Sequence, residues 1–371
     1  MKRSIYADNA ATTQLDIDAF EAMKPYMLQE FGNPSQKYAF SRTTREAIQN
    51  ARTTIANCIG AHPEEIFFTS GGTESDNWAI KSRKKDEYII TSAFEHHAVL
   101  NSCIAFEHNG GTVKYINPTK DGIITPETLE MTIESSVGLI SIMLANNELG
   151  TIQPIKELSQ ISHKHRILFH TDAVQAVGHI PIDVNALGVD MLSASAHKFH
   201  GPRGIGFLYI RSGAYMIPFI DGGGQENGYR AGTENVPAIV GMAAALKKSC
   251  DGIGQFTSHI NVLEDILLSD LATAKINFIR NGRTNTLPGL ISLSFPEKNG
   301  EAIMHRLDLL GISVSTGSAC NSRDTEISHV LRAINLDSDI AKGTIRISFS
   351  RNNAIQDAHE IAAALVKVLL K

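Results

Sequence analysis

Lys198 lies in a stretch that suits the covalent chemistry of an amine. Small residues surround it, Gly201, Pro202 and Gly204 follow, and residues 205–210 are apolar and β-prone. Tight backbone between two apolar strands predicts burial, which lowers the pKa of a lysine amine and makes it nucleophilic. Such an amine suits a Schiff base with an aldehyde cofactor. A lysine on an ordinary β-hairpin gives the same pattern, so this stretch alone leaves both interpretations open.

A glycine-rich turn with Gly71, Gly72 and Thr73 follows the predicted strand 66–69 and begins the predicted helix 73–82. Glycines let backbone N–H groups approach a phosphate, and the helix N-terminus adds a favourable dipole. The same residues also fit a plain capped turn. A phosphate-bearing cofactor is therefore one of two interpretations of this turn.

Polar side chains follow other predicted strands. Asp172 ends one strand, where its carboxylate suits the pyridinium nitrogen of pyridoxal phosphate, and Gln175 suits the phenolic oxygen of that ring. His96 follows another strand and suits stacking on the ring, whereas a metal site would need ligands that the sequence does not offer. Asn147 adds an amide at the same sheet edge. The alternatives are a helix cap for the aspartate and a structural role for the histidine.

Arg346 lies in the predicted apolar strand 343–350. A charged residue among apolar neighbours suggests a buried carboxylate partner, and arginine suits bidentate binding of a substrate α-carboxylate. The alternative is an arginine on the solvent face of an edge strand.

Four cysteines, Cys58, Cys103, Cys250 and Cys320, lie far apart without a Cys-x-x-Cys pair. This spacing argues against a disulfide framework and against a structural zinc site. Cys58 and Cys103 lie in apolar helical patterns and are predicted to be core residues, and Cys250 is predicted to close a helix. Cys320 lies in a run of small and polar residues, 315–322, which predicts a mobile loop with an exposed thiol.

Predicted strands alternate with amphipathic helices through the first two thirds of the chain. The strands lie at 66–69, 88–91, 113–116, 139–144, 167–170, 191–195 and 206–210. Apolar strands separated by helices predict an α/β fold with a mainly parallel central sheet and helices on both faces. Ligands bind at the carboxyl ends of the strands in such sheets. After about Cys250 the pattern, including a predicted helix at 256–274, indicates a smaller α+β domain.

Length and composition are those of an ordinary globular enzyme. The 371 residues exceed one typical core, so two domains are expected, and 43% hydrophobic with 20% charged residues fits a soluble protein. A net charge of −5 gives no electrostatic footprint for nucleic acid, and no apolar run is long enough to span a membrane. The N-terminus lacks the apolar core of a signal peptide, so we expect a cytoplasmic protein.

In their order along the chain, these residues resemble the fold-type I pyridoxal-phosphate enzymes, and among them the NifS/IscS-type cysteine desulfurases of the class-V aminotransferase family. The matching segments are 6–13, 31–35, 69–77, 95–96, 146–150, 172–175, 197–198, 230–233, 317–320 and 345–346. We expect a large cofactor-binding domain at 15–250. A small domain at 1–14 and 251–371 would carry the cysteine loop and Arg346.

The resemblance implies a role for each site residue. Lys198 would hold pyridoxal 5'-phosphate as a Schiff base, Cys320 would be the sulfur-accepting nucleophile, and His96 would stack on the ring and relay protons. The implied cofactor-binding residues are Gly72, Thr73, His96, Asn147, Asp172, Gln175, Ser195, His197, Lys198 and, from the second subunit of a homodimer, Thr233. The residues implied for the substrate carboxylate are Asn147 and Arg346, with Asn33 nearby. No metal is expected.

The implied reaction converts L-cysteine to L-alanine and leaves the sulfur on Cys320 as a persulfide. The protein that then accepts the sulfur stays open between an iron–sulfur scaffold and a thiolation enzyme acting on tRNA. Compared with the longest family members, the chain ends soon after the last predicted helix, which weakens without excluding a scaffold as acceptor. The alternatives are a selenocysteine lyase, another aminotransferase of this fold, and a non-catalytic scaffold protein.

Overall fold

The structure is a computed structural model that describes residues 4–282, 285–316 and 327–370. Within these ranges no helix combines the length and the apolar character that crossing a bilayer requires. The strands are β1 (Ile5–Tyr6), β2 (Ile66–Thr69), β3 (Tyr88–Ser92), β4 (Thr112–Ile116), β5 (Val137–Ser141), β6 (Leu168–Asp172), β7 (Met191–Ser195), β8 (Gly206–Ile210), β9 (Ile279–Asn281), β10 (Leu290–Ser294), β11 (Ile312–Ser313) and β12 (Thr344–Ser348). The helices are α1 (Ile17–Leu28), α2 (Arg42–Ile59), α3 (Gly72–Lys81), α4 (His97–His108), α5 (Pro126–Thr132), α6 (Ile155–Lys164), α7 (Val184–Leu187), α8 (Val236–Thr273), α9 (Gly300–Leu309), α10 (His329–Ala333), α11 (Ser338–Ala341) and α12 (Ile355–Leu369).

The central sheet has seven strands in the order β2-β8-β7-β6-β5-β3-β4. Only β8 runs against its neighbours, because it pairs antiparallel with both β2 and β7, whereas the other pairings in the sheet are parallel. The prediction of a mainly parallel sheet is therefore confirmed, with one reversed strand. The carboxyl ends of the six parallel strands consequently meet at one edge, where a ligand site is expected.

Helices cover both faces of this sheet, as the sequence predicts. On one face, Trp78 of α3 and Val99 of α4 pack against Leu139 and other strand residues. On the opposite face, Ile55 of α2 and Leu246 of α8 belong to the larger core. Strand residues are buried on both sides, which explains why their sequences are continuously apolar rather than alternating.

A second core forms around a small antiparallel sheet in the order β12-β10-β9. Its residues come from the N-terminal strand, α8, α9, α12 and the strands of the small sheet, for example Leu263, Leu293 and Ile347. The division of the chain into a large domain at 15–250 and a small domain at 1–14 and 251–371 stays a prediction.

One expectation for the helices is wrong. Cys250 does not close a helix, and no separate helix begins at 256, because α8 runs unbroken for 38 residues from Val236 to Thr273. Gly252 and Gly254 lie within it, and each glycine costs a helix about 1 kcal/mol relative to alanine. Packing of α8 against α1, α2 and α12 outweighs that local preference.

Candidate active site

Lys198 lies in the connection between the antiparallel strands β7 and β8, at the end of a short 3-10 turn, Ala196–Lys198. The lysine therefore lies on a connection between two antiparallel strands, and it also lines a cavity; that it forms a Schiff base stays a prediction. Its Nζ donates to the backbone carbonyls of Ala10 at 2.6 Å and Ala11 at 3.0 Å. The N-terminal segment thus holds the amine at the carboxyl edge of the sheet.

The cavity has a volume of about 470 Å³ and lies at that edge. Nine of the predicted residues line it: Gly72, Thr73, His96, Asn147, Asp172, Gln175, Ser195, His197 and Lys198. They come from the ends of different strands, so their convergence follows from the parallel order of the sheet.

The glycine turn forms one end of the cavity. Gly71 has a φ of +149°, and a Cβ added to Gly72 would lie 2.5 Å from Cγ2 of Val174, so these positions need glycine. The turn is further held because Glu74 accepts from the backbone N–H of Ser70 at 2.7 Å and pairs with Arg230 at 2.8 Å. The N-terminus of α3 therefore faces the cavity without side chains in the way, which suits a phosphate.

Asp172, at the end of β6, also lines the cavity. Its Oδ1 accepts from the backbone N–H of Val174 at 2.9 Å. Burial raises the pKa of Asp172 to about 6, although the Val174 N–H and the positive charge of Lys198 oppose that rise. Side-chain atoms of Asp76, His96 and Asp172 lie within 4.8 Å of one another. A carboxylate so placed can face a ring nitrogen.

His96 caps the N-terminus of α4 and faces the cavity. Its Nδ1 accepts from the backbone N–H of Ala98 at 3.1 Å, so in the neutral ring the proton is on Nε2. Desolvation by the surrounding protein, then the charges of Lys198 and His97, lower the pKa of His96 to about 4. The ring is consequently neutral at physiological pH and suits stacking against an aromatic ligand.

Gln175 and His197 complete the wall of the cavity. Nε2 of Gln175 donates at 2.9 Å to the carbonyl of Ala10, the same oxygen that accepts from Lys198. His197 shares a 3.1 Å hydrogen bond between its Nδ1 and Oγ1 of Thr12. Burial, with smaller effects of nearby positive charges, lowers the pKa of His197 to about 4.

Arg346 lies beside the cavity without lining it. Its side chain is buried and does not face solvent, so the edge-strand alternative is wrong; β12 is an edge strand, but the residue is only 6% exposed. As expected it has a carboxylate partner: Nη2 pairs with Asp8 at 2.7 Å. Nη1 donates to the carbonyl of Asn147 at 2.9 Å, and the buried Nε has no hydrogen-bond partner.

Besides Arg346, two of the predicted residues that the structure describes, Asn33 and Thr233, do not line the cavity. Asn33 accepts from the backbone N–H of Ser35 at 3.0 Å through its Oδ1. Thr233 is exposed, and its expected contact with the cofactor of a second subunit stays a prediction. Cys320 lies outside the described residues.

Sequence reasoning assigned no role to several residues that line the cavity, among them Asp76, Thr12 and Arg203. For Asp76 a signal was present, because residues four apart share one face of a helix and Asp76 follows Gly72 by one turn. For Thr12 no local signal exists, since it reaches the site only through tertiary folding.

The residues fit pyridoxal phosphate. The glycine turn packs closely against Val174 and presents backbone rather than side chains at Gly71 and Gly72, which suits a phosphate, and the amine of Lys198 lines the same cavity. Asp172 and His96 supply a buried carboxyl and a neutral ring for the pyridine. The donor set therefore matches each end of this cofactor.

Comparisons with known proteins agree with this geometry. The family model Aminotransferase class-V matches residues 5–361. Cysteine desulfurase IscS of Dictyoglomus turgidum is 47% identical over 377 residues, covering 100% of this chain and 96% of the relative. A solved NifS-like protein has a TM-score of 0.93 at 37% identity, covering 99% of this chain and 100% of its own. The solved structure of SspA in complex with cysteine has a TM-score of 0.84 at 36% identity, covering 95% of this chain and 100% of its own.

Proposed function

The chain belongs to the class-V aminotransferase family, and on that basis we propose which of its residues carry out the reaction. The protein is a pyridoxal-phosphate-dependent cysteine desulfurase, which converts L-cysteine to L-alanine and transfers the sulfur to an enzyme cysteine. The observation that supports the roles below is the convergence of Lys198, Asp172 and His96 on one cavity.

Pyridoxal phosphate, when bound, supplies an electron sink that stabilises negative charge at the substrate Cα. Lys198 would hold it through Nζ, and Asp172 would face the pyridine nitrogen. His96 would stack on the ring, and Gln175 would donate to the phenolic oxygen. The residues that hold the phosphate are Gly72, Thr73, Ser195 and His197, with Thr233 of a second subunit. Their common position around the cavity, Thr233 excepted, supports these roles.

Substrate binding is assigned to the side of the cavity where Asn147 and Arg346 meet. Arg346 offers Nε and the remaining guanidinium hydrogens to the substrate carboxylate, while Asp8 and the Asn147 carbonyl fix its orientation. Nζ of Lys198 would act as the base that takes up the Cα proton of the substrate. His96, neutral with its proton on Nε2, relays protons to and from the substrate.

Cys320 is proposed as the nucleophile that accepts the sulfur. Its thiolate attacks the sulfur of the substrate, an S–S bond forms, the substrate C–S bond breaks, and the remaining carbon skeleton takes up protons to leave as alanine. Support comes from the described residues on either side of 317–326. Ser315 exchanges backbone hydrogen bonds with Arg346 at 2.6 and 3.1 Å, and Ser328 donates to Glu148 at 2.6 Å, next to Asn147.

The enzyme is proposed to act as a cytoplasmic homodimer that passes persulfide sulfur to a protein acceptor. An iron–sulfur scaffold and a thiolation enzyme are both consistent with this chemistry. Trapping mixed disulfides on Cys320 in cell extract, followed by mass spectrometry of the captured chain, distinguishes the two.

The role of Cys320 is tested by Cys320→Ser, with Cys58→Ser as the matched control because Cys58 lies on α2 and does not line the cavity. Cys320→Ser should keep the visible absorbance of the lysine-bound cofactor yet form no alanine from cysteine in the presence of a reductant. Cys58→Ser should keep both the visible absorbance and the formation of alanine. Normal turnover by Cys320→Ser would exclude the persulfide step on this residue.

A further inference from the structure

Two buried carboxyl groups face each other beneath the cavity. Asp76 comes from α3 and Asp172 from the end of β6, and they are 1% and 5% exposed. A carboxyl oxygen of each lies within 4.8 Å of the other, and both lie within 4.8 Å of a ring nitrogen of His96. Two carboxylates this close in a desolvated site do not both ionise at neutral pH, because each disfavours the charge of the other.

Among the described residues, none of the groups that shift the pKa of Asp76 is a cation that would compensate a negative charge. The nearest ring is that of His170, whose Nε2 lies 3.7 Å from Oδ1 of Asp76. Both ring nitrogens of His170 are already bonded to serine hydroxyls, at 2.8 Å to Ser141 and 2.9 Å to Ser193. Burial lowers the pKa of His170 to about 3, so that ring is neutral. Glu95 is a third buried carboxyl nearby, and its negative charge, when it ionises, raises the pKa of Asp76 further.

Asp172 is better placed than Asp76 to carry the charge of the pair. It accepts the Val174 N–H and feels the positive charge of Lys198. Oδ1 of Asp76, by contrast, is buried and has no hydrogen-bond partner in the part of the chain that the structure describes. Burial, and then the charge of Asp172, raise the pKa of Asp76 well above its ordinary value. The hydrogen bonds and the direction of the pKa shifts therefore agree that Asp76 keeps the proton and Asp172 carries the negative charge.

We propose that Asp76 stays protonated and is a positioning residue, whose neutral carboxyl group keeps Asp172 as the single anion beneath the cofactor ring. This inference rests on the proposed function, since it assumes that Asp172 faces the pyridine nitrogen. Asp76 touches no reacting atom; it acts through Asp172 by presenting a neutral dipole rather than a second charge. An ionised Asp76 would instead raise the pKa of Asp172 and weaken the pairing with the ring.

The protonation state can be read directly by infrared spectroscopy. The full-length protein is labelled with ¹³C-aspartate and examined without added cofactor at about pH 8, above the pKa of about 6 of Asp172. The carbonyl stretch of a protonated aspartic acid should be present, and Asp76→Asn should remove it. Asp183→Asn is the matched control, because Asp183 is an exposed helix cap and should not contribute. Absence of the band, or its persistence in Asp76→Asn, would overturn the proposal.

The positioning role is tested by how cofactor binding depends on pH. The dissociation constant of pyridoxal phosphate is measured across the titration of Asp172 in the wild type, Asp76→Ala and Asp76→Asn. Asp76→Ala should raise the pH midpoint of cofactor binding by about half a pH unit, because a neutral donor facing Asp172 is lost. Asp76→Asn, which keeps a neutral donor, should have the wild-type midpoint. A lower midpoint in both variants would mean that Asp76 is an anion, and no shift in either would mean that it does not act on Asp172; each result overturns the proposal.

Failure of the proposed function gives a different result. If the wild-type chain bound no pyridoxal phosphate, the assignment of the cavity would be wrong, while the infrared band would still report the state of Asp76.

Discussion

Nη2 of Arg346 pairs with the carboxylate of Asp8 at 2.7 Å, so the guanidinium proposed to bind substrate already has a partner within the protein. Asp8 comes from the N-terminal segment and Arg346 from β12, at opposite ends of the chain. The ion pair leaves Nε and other N–H groups available and fixes the plane of the guanidinium. Asp8 therefore orients Arg346 rather than competing with the substrate.

The first prediction concerns this pair. Arg346→Lys should lower kcat/KM for L-cysteine by about 100-fold, chiefly through KM, because an ammonium cannot provide the planar fork. Asp8→Asn should raise KM by about 10-fold, because the guanidinium is no longer held in one plane. Steady-state alanine formation measures both. An unchanged KM in Asp8→Asn would contradict the orienting role, provided that cofactor content matches the wild type.

A second prediction concerns the glycine turn. Gly72→Ala should weaken binding of pyridoxal phosphate by about 10-fold or more, because the added Cβ would lie 2.5 Å from Val174 and displace the turn. Equilibrium dialysis of the cofactor measures the effect.

Gly254→Ala is the matched control for this substitution. It lies within α8, and an added Cβ would meet no atom within 4 Å. It should leave cofactor binding unchanged and stabilise the protein by about 0.5–1 kcal/mol, because alanine is the better helix former. Equal loss of cofactor in both variants would contradict the steric argument.

A third prediction concerns pH and stability. Burial raises the pKa of Glu95 to about 8, against hydrogen bonds from Ser92 and Met143 that lower it. Glu95 ionises at a lower pH in the unfolded chain than in the native protein. The contribution of protonated Glu95 to stability is therefore present at low pH. That contribution is lost as the pH rises from about 4.5 through about 8.

Glu95→Gln removes this titration. The free energy of unfolding of Glu95→Gln, minus that of the wild type, should increase by on the order of 2–4 kcal/mol as the pH rises from about 5 to about 8. Urea denaturation of the protein without cofactor at several pH values measures the difference. Parallel pH profiles for the two proteins would count against a protonated Glu95.

A fourth prediction concerns the thiols on the described helices. Cys103 is fully buried, and burial raises the pKa of its thiol. Cys58 is half-buried, and the neighbouring Cys250, whose thiol donates to the backbone carbonyl of Cys58 at 3.9 Å, lowers the pKa of the Cys58 thiol. Alkylation of the native protein, followed by peptide mass spectrometry, should therefore modify Cys58 about 100-fold faster than Cys103. Comparable rates would show that α4 opens more readily than its packing implies.

Local patterns were sufficient to predict most elements and most of the cavity. The predicted strands 66–69, 191–195 and 206–210 have the observed bounds, because each is a short apolar run between glycines and polar turns. Asp172, His96 and Gly72 could be placed because strand ends of a parallel sheet share one edge.

Contacts between distant parts of the chain could not be predicted in this way. Nothing near Lys198 in sequence indicates that the carbonyls of Ala10 and Ala11 receive its amine. Asp8 likewise has no local pattern that identifies it as the partner of Arg346. The length of α8 was missed because Gly252 and Gly254 favour a break that only tertiary packing overrides.

The unbroken course of α8 has a consequence for how the protein melts. About 57 Å long, the helix gives Leu246 to the larger core and Leu263 to the smaller one. Fraying at its N-terminal end removes packing surface from the larger core, and fraying at its C-terminal end removes it from the smaller one. Because one continuous helix belongs to both cores, partial unfolding of one destabilises the other. We expect calorimetry to record a single cooperative transition for the chain, rather than the two independent transitions that a flexible linker would allow.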